Sequence, residues 1–434
     1  MIKVHLTALG CRLNEAELEN WSRQFLGQGF TLSASAEDAD LVVLNTCAVT
    51  GEASRKSRNL INRLHRNNPD AKLVITGCHS SLNPEATADT LGVDLVVPND
   101  QKQTLPDIAI QRLNLGDAQH SPPPDEIALY TRGRHRAFIK IQDGCRYRCT
   151  FCIVTVARGE ERSIAEQSII DTINHYVRQG IQEAVLTGVH VGGYGSDTGS
   201  SLFRLVQRIL AETDIPRLRF ASVEPWDLPD NFFSLFDDAR LMPHMHLPLQ
   251  SGCDAVLRRM ARRCKTAEFR ALVDKARTQV ENFNVTTDII AGFPGETGQA
   301  WQQTLAFVES IGFGHIHIFP YSPREGTKAA RLPDQIDKAT RQRRCRELAT
   351  LAEQLKVQAM QKELDSIQAV LWEKPHTQPD GSTRIQGYTP GFHRVSTTQP
   401  AGISLEYRIT DTLMTGIDAS PPRLEGKVIR TTTP

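Results

Sequence analysis

The sequence predicts an α/β protein with three folded parts: an open parallel α/β domain over residues 1–100, a partial (β/α)6 barrel over 136–365, and a small antiparallel β-barrel over 366–434. In the first two parts, short apolar runs alternate with longer helical segments, which is typical of parallel sheets with right-handed crossovers. From about residue 366, short β-rich runs alternate with Gly, Pro and Asp turns, which is typical of small antiparallel barrels.

Composition places the chain among soluble globular proteins. It has 434 residues, of which 40% are hydrophobic and 23% charged, and a formal net charge of zero, so no global field attracts nucleic acid. We expect no secretory signal at the amino terminus and no membrane span, because no run of about 18 apolar residues occurs. Nine cysteines suit metal binding or catalysis in a reducing cytoplasm better than a disulfide framework.

In the first part each predicted strand runs into a cysteine. Strands are predicted at 3–9, 41–45 and 72–76 and helices at 14–28 and 52–67, and the cysteines that follow the strands are Cys11, Cys47 and Cys78. Open parallel sheets build ligand crevices at these strand ends, so the three thiols should converge. They are predicted either to hold an iron–sulfur cluster or to be buried core cysteines, and the spacing of the three cysteines does not decide between these interpretations.

Residues 101–135 are predicted to be a linker. The run of prolines at 122–124 favours extended backbone, and basic residues at 132, 134, 135 and 136 close the segment.

The barrel's first strand leads into the most informative stretch of the chain. Strands are predicted at 137–142, 183–189, 217–221, 244–247, 284–290 and 314–319, with helices at 163–179, 201–212, 254–260, 266–281, 298–311 and about 335–364. Cys145, Cys149 and Cys152 follow the first strand with the spacing C-x3-C-x2-C. Three thiolates can hold a [4Fe–4S] cubane and leave one iron free for another ligand. A zinc knot or a disulfide loop also favours close cysteines.

This spacing after a first barrel strand resembles the radical S-adenosylmethionine (SAM) superfamily, in which the free iron chelates SAM. Residues near the other strand ends are then candidate SAM contacts, because α/β barrels place their chemistry there. Phe151 could pack on adenine, Gly188 offers backbone groups, Ser222 and Glu224 could bind the ribose diol, and the segment with Ile290 and Gly292 allows close approach of adenine.

The C-terminal part carries a possible RNA surface. Tyr388, Phe392 and Arg394 are predicted to present aromatic and basic groups on one rim, suited to stacking on unpaired bases. A purely structural cap remains the alternative.

Taken in order, the motifs resemble the radical SAM methylthiotransferases over essentially the whole chain. The matching stretches are residues 9–14, 45–50, 76–78, 141–152, 157–159, 246–252, 292–296 and 319–322. The C-terminal barrel resembles that family's TRAM domain through residues 387–389 and Val395.

The resemblance implies two [4Fe–4S] clusters, one on Cys11, Cys47 and Cys78 and one on Cys145, Cys149 and Cys152, with SAM as cosubstrate. In the family, one SAM methylates a sulfur on the first cluster and a second SAM yields the radical that activates the substrate carbon. The resemblance further implies tRNA as substrate and a flavodoxin or ferredoxin as electron donor; it does not name the sulfur donor.

Residues 10–17 and 143–145 look most like the branch that modifies N6-threonylcarbamoyladenosine at position 37, next to the anticodon. The alternatives are isopentenyladenosine in tRNA, an aspartate of a ribosomal protein, or a non-catalytic iron–sulfur RNA-binding protein. Arg158 and Arg162 are candidates for the substrate's carboxylate or a phosphate, since guanidinium groups pair bidentately with either. Ion pairs with Glu160 or Glu161 are the other interpretation of these arginines.

Overall fold

The computed structural model describes residues 1–116, 136–377, 382–400 and 403–431. The proline run at 122–124 and the basic residues 132, 134 and 135 of the predicted linker lie outside these ranges. No helix in the described ranges is long and apolar enough to cross a bilayer.

The first part is a five-stranded, all-parallel sheet with the strand order β2-β1-β3-β4-β5. Its strands are β1 (Lys3–Ala8), β2 (Thr31–Leu32), β3 (Leu41–Thr46), β4 (Lys72–Gly77) and β5 (Leu95–Val97). Its helices are α1 (Arg12–Gly27), α2 (Gly51–Asn67), α3 (Cys78–Leu82), α4 (Pro84–Ala88) and α5 (Leu105–Leu113). The central strand β3 is buried on both faces, as expected for a parallel strand covered by helices.

The predicted start of the linker, at residue 101, differs from the structure. A 3₁₀ helix (Asn99–Thr104) leads directly into α5, and Leu105 and Ala109 are fully buried in the same apolar cluster as Trp21 and Phe25 of α1. This helix therefore belongs to the first domain, because it covers one face of the sheet.

The second part is a partial barrel of six parallel strands in the order β6-β9-β10-β11-β12-β13. The six strands are β6 (Arg136–Lys140), β9 (Glu183–Thr187), β10 (Arg217–Phe220), β11 (His244–His246), β12 (Asn284–Ala291) and β13 (His315–Pro320). Two short strands, β7 (Gln142–Asp143) and β8 (Arg162–Ser163), form a separate antiparallel pair. Isolated parallel bridges, Leu218 to Leu241 and Ser222 to His246, join its two three-stranded sheets. The predicted (β/α)6 architecture is confirmed.

Helices pack around this sheet and form the largest apolar core of the protein. They are α6 (Val154–Arg158), α7 (Glu166–Arg178), α8 (Leu202–Glu212), α9 (Asp254–Arg259), α10 (Thr266–Gln279), α11 (Gly298–Ile311) and α12 (Lys338–Gln361). Side-chain oxygens cap several amino termini: Ser201 accepts from the Arg204 N–H, Thr297 from Ala300 and Asp337 from Thr340.

The third part is a small barrel built mainly of antiparallel pairs. Its strands are β14 (Ile367–Trp372), β15 (His376–Thr377), β16 (Thr383–Tyr388), β17 (Arg394–Thr398), β18 (Ile409–Ala419) and β19 (Pro422–Thr431). Pairing of β14 with both β18 and β16 closes the sheet, and β17 pairs with β19 in parallel. A run at 404–409 looks strand-like in the sequence, but the strand begins only at Ile409, because a turn with Tyr407 at a φ of 60° precedes it.

This small barrel covers the amino-terminal ends of the parallel strands. The Arg219 guanidinium donates to the Pro390 carbonyl at 3.0 Å, and the Asn284 amide donates to the Gly391 carbonyl at 2.7 Å. The cysteine loop lies beyond the opposite, carboxyl-terminal ends, so the third part is separated from it by the length of the strands.

Candidate functional site

The structure brings Cys11, Cys47 and Cys78 together at the carboxyl ends of the adjacent strands β1, β3 and β4. Gly10 precedes Cys11 with a φ of 105°, and a Cβ there would lie only 2.5 Å from Cys47 Sγ, so only glycine allows this approach. Burial raises the pKa of Cys47, and the neighbouring Cys11 and Cys78 add to the shift. Cys11 is exposed while the other two are buried, so the group is reachable from one side.

Cys145, Cys149 and Cys152 form a second group on the loop that follows β7. The Cys152 N–H donates to the Cys149 carbonyl at 3.0 Å, and the Cys145 N–H donates to the Gly159 carbonyl at 3.1 Å. Burial raises the pKa of Cys145 to about 12 and that of Cys152 to about 11, with neighbouring thiols contributing to both. Three thiols crowded on one loop suit an iron cluster, because the iron displaces their protons and binds the thiolates.

Sequence reasoning missed a buried ion-pair network that joins these two groups. Glu17, on α1, accepts from Lys102 at 2.7 Å through Oε2, and from Lys140 at 3.0 Å and Arg158 at 2.9 Å through Oε1. Asp143 accepts from Lys140 at 2.7 Å and from Arg158 at 3.0 Å. These cations lower the pKa of Glu17 well below its ordinary value and that of Asp143 to about 2, against the opposing effect of burial.

Arg158 therefore has a different role from both predicted ones. Its side chain is 2% exposed, and its Nη2 donates to Asn14 Oδ1 at 2.8 Å while Nη1 serves Glu17 and Asp143. A guanidinium occupied in this way is not available to a substrate carboxylate or phosphate. Its partners also differ from Glu160 and Glu161, the acids nearest in sequence. Arg162 remains exposed, with Nη2 donating to the Arg158 carbonyl at 3.3 Å.

A second network, also missed, supports the cysteine loop from the barrel side. His190 lies between Glu161 and Asp227, bonded to Glu161 through Nδ1 and to Asp227 through Nε2 at 2.6 Å. The Tyr147 hydroxyl donates to Asp227 at 2.8 Å, and Arg146 bridges both acids. Although burial opposes it, hydrogen bonding to the two acids raises the pKa of His190. The loop is thus fixed by fully partnered groups, and His190 is not free to be a metal ligand.

Comparison with known proteins identifies this arrangement. Residues 3–98 match the uncharacterized protein family UPF0004, and residues 139–308 match the radical SAM superfamily. The chain is 33% identical over 411 residues to the threonylcarbamoyladenosine tRNA methylthiotransferase MtaB of Bacillus subtilis (strain 168), covering 91% of this chain and 90% of that protein. It is 37% identical over 352 residues to the protein of the same name from Thermotoga maritima, covering 79% and 80%.

The chain belongs to the radical SAM methylthiotransferase family. Membership implies SAM and a [4Fe–4S] cluster. Among solved structures, the radical SAM methyltransferase TsrM from Kitasatospora setae has a TM-score of 0.57 at 16% identity, over 76% of this chain and 77% of that one. The cobalamin-dependent SAM radical enzyme OxsB has a TM-score of 0.52 at 13% identity, over 81% and 56%. Both likenesses concern the fold.

Within this family member, the predicted SAM contacts divide into two sets. The Oε2 atom of Glu224 is buried, has no hydrogen-bond partner in the described residues and lies 3.8 Å from His190 Nε2, and burial raises the pKa of Glu224. Ser222 is exposed beside it at the end of β10. Phe151 packs edge-on against Phe293 with ring centres 6.4 Å apart, and Ile290 is partly buried against the same apolar cluster.

The two glycines that are predicted to contact SAM lie against the protein's own side chains. At Gly188 a Cβ would lie 3.0 Å from Gln142 Oε1, which accepts from the N–H groups of Val189 and His190. At Gly292 a Cβ would collide with Arg341, and the Gly292 N–H already donates to Glu296 at 2.8 Å. At both glycines, the space that a Cβ would occupy is filled by the protein's own side chains.

The aromatic rings of the predicted rim also lie against the protein's own side chains. Tyr388 and Phe392 stack on each other with ring centres 4.8 Å apart, and guanidinium groups cover their remaining faces, Arg136 over Tyr388 at 4.6 Å and Arg219 over Phe392 at 4.7 Å. These rings dock the small barrel onto the large one, so they are not free to stack on bases. Arg394 remains exposed, donating to the Tyr388 hydroxyl at 3.1 Å.

Proposed function

We propose that this protein is a tRNA methylthiotransferase that converts N6-threonylcarbamoyladenosine at position 37 into its 2-methylthio derivative. The observation that carries the proposal is the pair of three-thiol groups on two parallel sheets, joined by one buried ion-pair network. A reaction that activates a carbon and delivers a sulfur to it needs two sites held at a fixed separation. Relatives named for this activity, 32–37% identical over most of the chain, support the choice of substrate.

We further propose that Cys11, Cys47 and Cys78 hold a second [4Fe–4S] cluster. The donor set supports it, because three thiols converge at the strand ends and cations lie close by: Arg158 and Lys102 both interact electrostatically with Cys78. The ion-pair network carries three cations and two carboxylates. The one excess positive charge of this network offsets part of the negative charge that three iron-bound thiolates would carry.

When bound, SAM and the clusters supply the radical and the sulfur chemistry. The chain's own residues bind and orient. We propose that Glu224 and Ser222 bind the ribose of SAM and that Arg162 pairs with an anionic group of the substrate. Val49 and Val156 are 51% and 62% exposed next to the two cysteine groups, and such apolar side chains suit contact with an unstacked base.

The remaining parts of the proposal concern the surroundings. The C-terminal barrel is proposed to be TRAM-like and to bind RNA through Arg394 and neighbouring exposed groups. A flavodoxin or ferredoxin is proposed as the electron donor, and the cytoplasm, where tRNA is modified, as the location.

Mass spectrometry of nucleosides from total tRNA tests the proposal. Cells lacking the gene should lose 2-methylthio-N6-threonylcarbamoyladenosine and accumulate its precursor. Plasmid copies with Cys47→Ala or Cys145→Ala should fail to restore it, whereas Cys345→Ala, a half-buried cysteine on α12, should restore it. Loss of the isopentenyl counterpart would move the substrate to that adenosine, and unchanged tRNA nucleosides would refute a tRNA substrate.

A further inference from the structure

A cluster of two histidines and one carboxylate lies on the last three strands of the large barrel and contains none of the cysteines. His246, Asp288 and His317 stand on the adjacent strands β11, β12 and β13, and one ligand atom of each lies within 4.8 Å of the other two. His246 Nε2 is 3.2 Å from Asp288 Oδ1. Two ligands of a tetrahedral ion at about 2.0 Å stand roughly that far apart.

We propose that His246, Asp288 and His317 form a binding site for a first-row divalent metal ion such as Zn²⁺, Fe²⁺ or Mn²⁺. Two imidazoles and one carboxylate suit such ions, and three protein ligands leave room for a further ligand from solvent or substrate.

The strands themselves place the ligands. Asp288 is in register with His317 on β13, while His246 pairs with Thr286, two residues earlier on β12. Residues two apart on a strand face the same side, so all three side chains project from the same side of the sheet. Strands are rigid supports, and a site built on them is held more closely than one on loops.

An outer hydrogen bond orients one of the ligands. His246 Nδ1 lies 3.0 Å from Thr286 Oγ1, and this contact directs Nε2 toward Asp288. Metal-bound imidazoles usually donate their second ring N–H to such a partner. A simple His–Asp hydrogen bond would explain this pair alone, but it does not account for His317.

His317 supplies the third ligand of the proposed site, and it lies at the open edge of the barrel. It is exposed on the edge strand β13, and its ring centre is 5.5 Å from that of His246. The carboxylate of Asp288 favours a cation over an anion at this point.

Zinc binding to the anaerobically reconstituted protein tests the proposal, since clusters then engage the cysteine groups. After equilibrium dialysis against Zn²⁺, wild type should hold one more zinc per chain, by elemental analysis, than His317→Ala or Asp288→Asn. His315→Ala is the matched control, because His315 is exposed on the same strand with its ring 4.6 Å from that of His317 but is outside the ligand set. The control should retain the zinc.

X-ray absorption at the zinc edge supplies a second readout that does not depend on activity. The bound zinc should show nitrogen and oxygen neighbours at about 2.0–2.2 Å and none at the sulfur distance of about 2.3 Å. Iron content and melting temperature check that each variant is folded. If His317→Ala does not fold, Asp288→Asn, which keeps the side-chain shape, provides the comparison with wild type. Equal zinc in wild type and in the ligand variants, equal loss in His315→Ala, or a sulfur neighbour would overturn the proposal.

Discussion

Replacing Glu17 by glutamine tests the ion-pair network that joins the two cysteine groups. The Glu17 side chain is 3% exposed, and its carboxylate is the only one bonded to Lys102 among the described residues. Glutamine keeps the shape but loses the charge, and its amide N–H group would face one of the cations. Lys102, which is 2% exposed, would then be a buried cation without a counter-charge.

The size of the effect follows from burial. Removing one partner of a buried ion pair costs about 3–5 kcal/mol, because the remaining charge stays desolvated. For a folding unit of about 150–250 residues, 1 kcal/mol shifts the melting temperature by about 2–4 °C. We therefore expect Glu17→Gln to lower the melting temperature by about 6–20 °C.

Differential scanning calorimetry of the cluster-free protein at pH 7.5 measures this shift. Glu160→Gln is the matched control: the Arg148–Glu160 pair has a similar length, 2.8 Å, but its side chains are 67% and 70% exposed. Exposed pairs contribute at most about 1 kcal/mol. A Glu17→Gln shift no larger than that of Glu160→Gln would refute the argument that burial makes the network strong.

Three further predictions follow from the same structure. The lowered pKa values of Glu17 and Asp143 stabilise the folded protein above about pH 4, which is the pKa of carboxyls in the unfolded chain, and this stabilisation is lost as the pH falls toward 2. The urea midpoint should therefore fall more steeply between pH 5 and pH 3 for wild type than for Glu17→Gln. Burial raises the pKa of Glu363 to about 7, so ionisation of this carboxyl lowers the stability of the folded protein as the pH rises from about 4.3 to 7. Glu363→Gln should therefore stabilise the protein by about 3 kcal/mol at pH 8 and hardly at all at pH 4.5. Equal shifts of the urea midpoint at the two pH values would contradict this prediction. Phe392→Ala should increase hydrogen exchange in β16, because the ring docks the small barrel; weaker tRNA binding with unchanged exchange would instead favour the base-stacking role.

The sequence alone predicts most of the parallel architecture and the positions of the cysteines. Strands β1, β3 and β4 are short apolar runs that end at Cys11, Cys47 and Cys78, and the geometry of parallel sheets brings such ends together. The strand-like run at 404–409 and the start of the linker predicted over 101–135 differ from the structure for local reasons. A residue with positive φ interrupts the first, and α5 is too short for a clear periodic signal.

The networks could not be predicted, because their partners are distant in sequence. Arg158 pairs with an acid 141 residues away, although Glu160 and Glu161 are its neighbours along the chain. No local pattern distinguishes a buried arginine from an exposed one on a helix as short as α6. Tyr388 and Phe392 show the same ambiguity, since aromatic rings beside arginines suit base stacking and domain docking equally well.

The position of the charged network along the chain explains why polar groups occupy this interface. Glu17 follows Cys11 by six residues at the start of α1, Asp143 precedes Cys145 by two, and Arg158 follows Cys152 by six. An apolar interface would tolerate small sliding of one sheet against the other, whereas hydrogen bonds to charged groups weaken steeply with distance and angle. Each hydrogen bond to Glu17 or Asp143 therefore holds in place a backbone segment that lies a few residues from a cysteine. The network sets the separation of the two thiol groups more closely than packing alone would, and that separation is what a transfer between two sites requires.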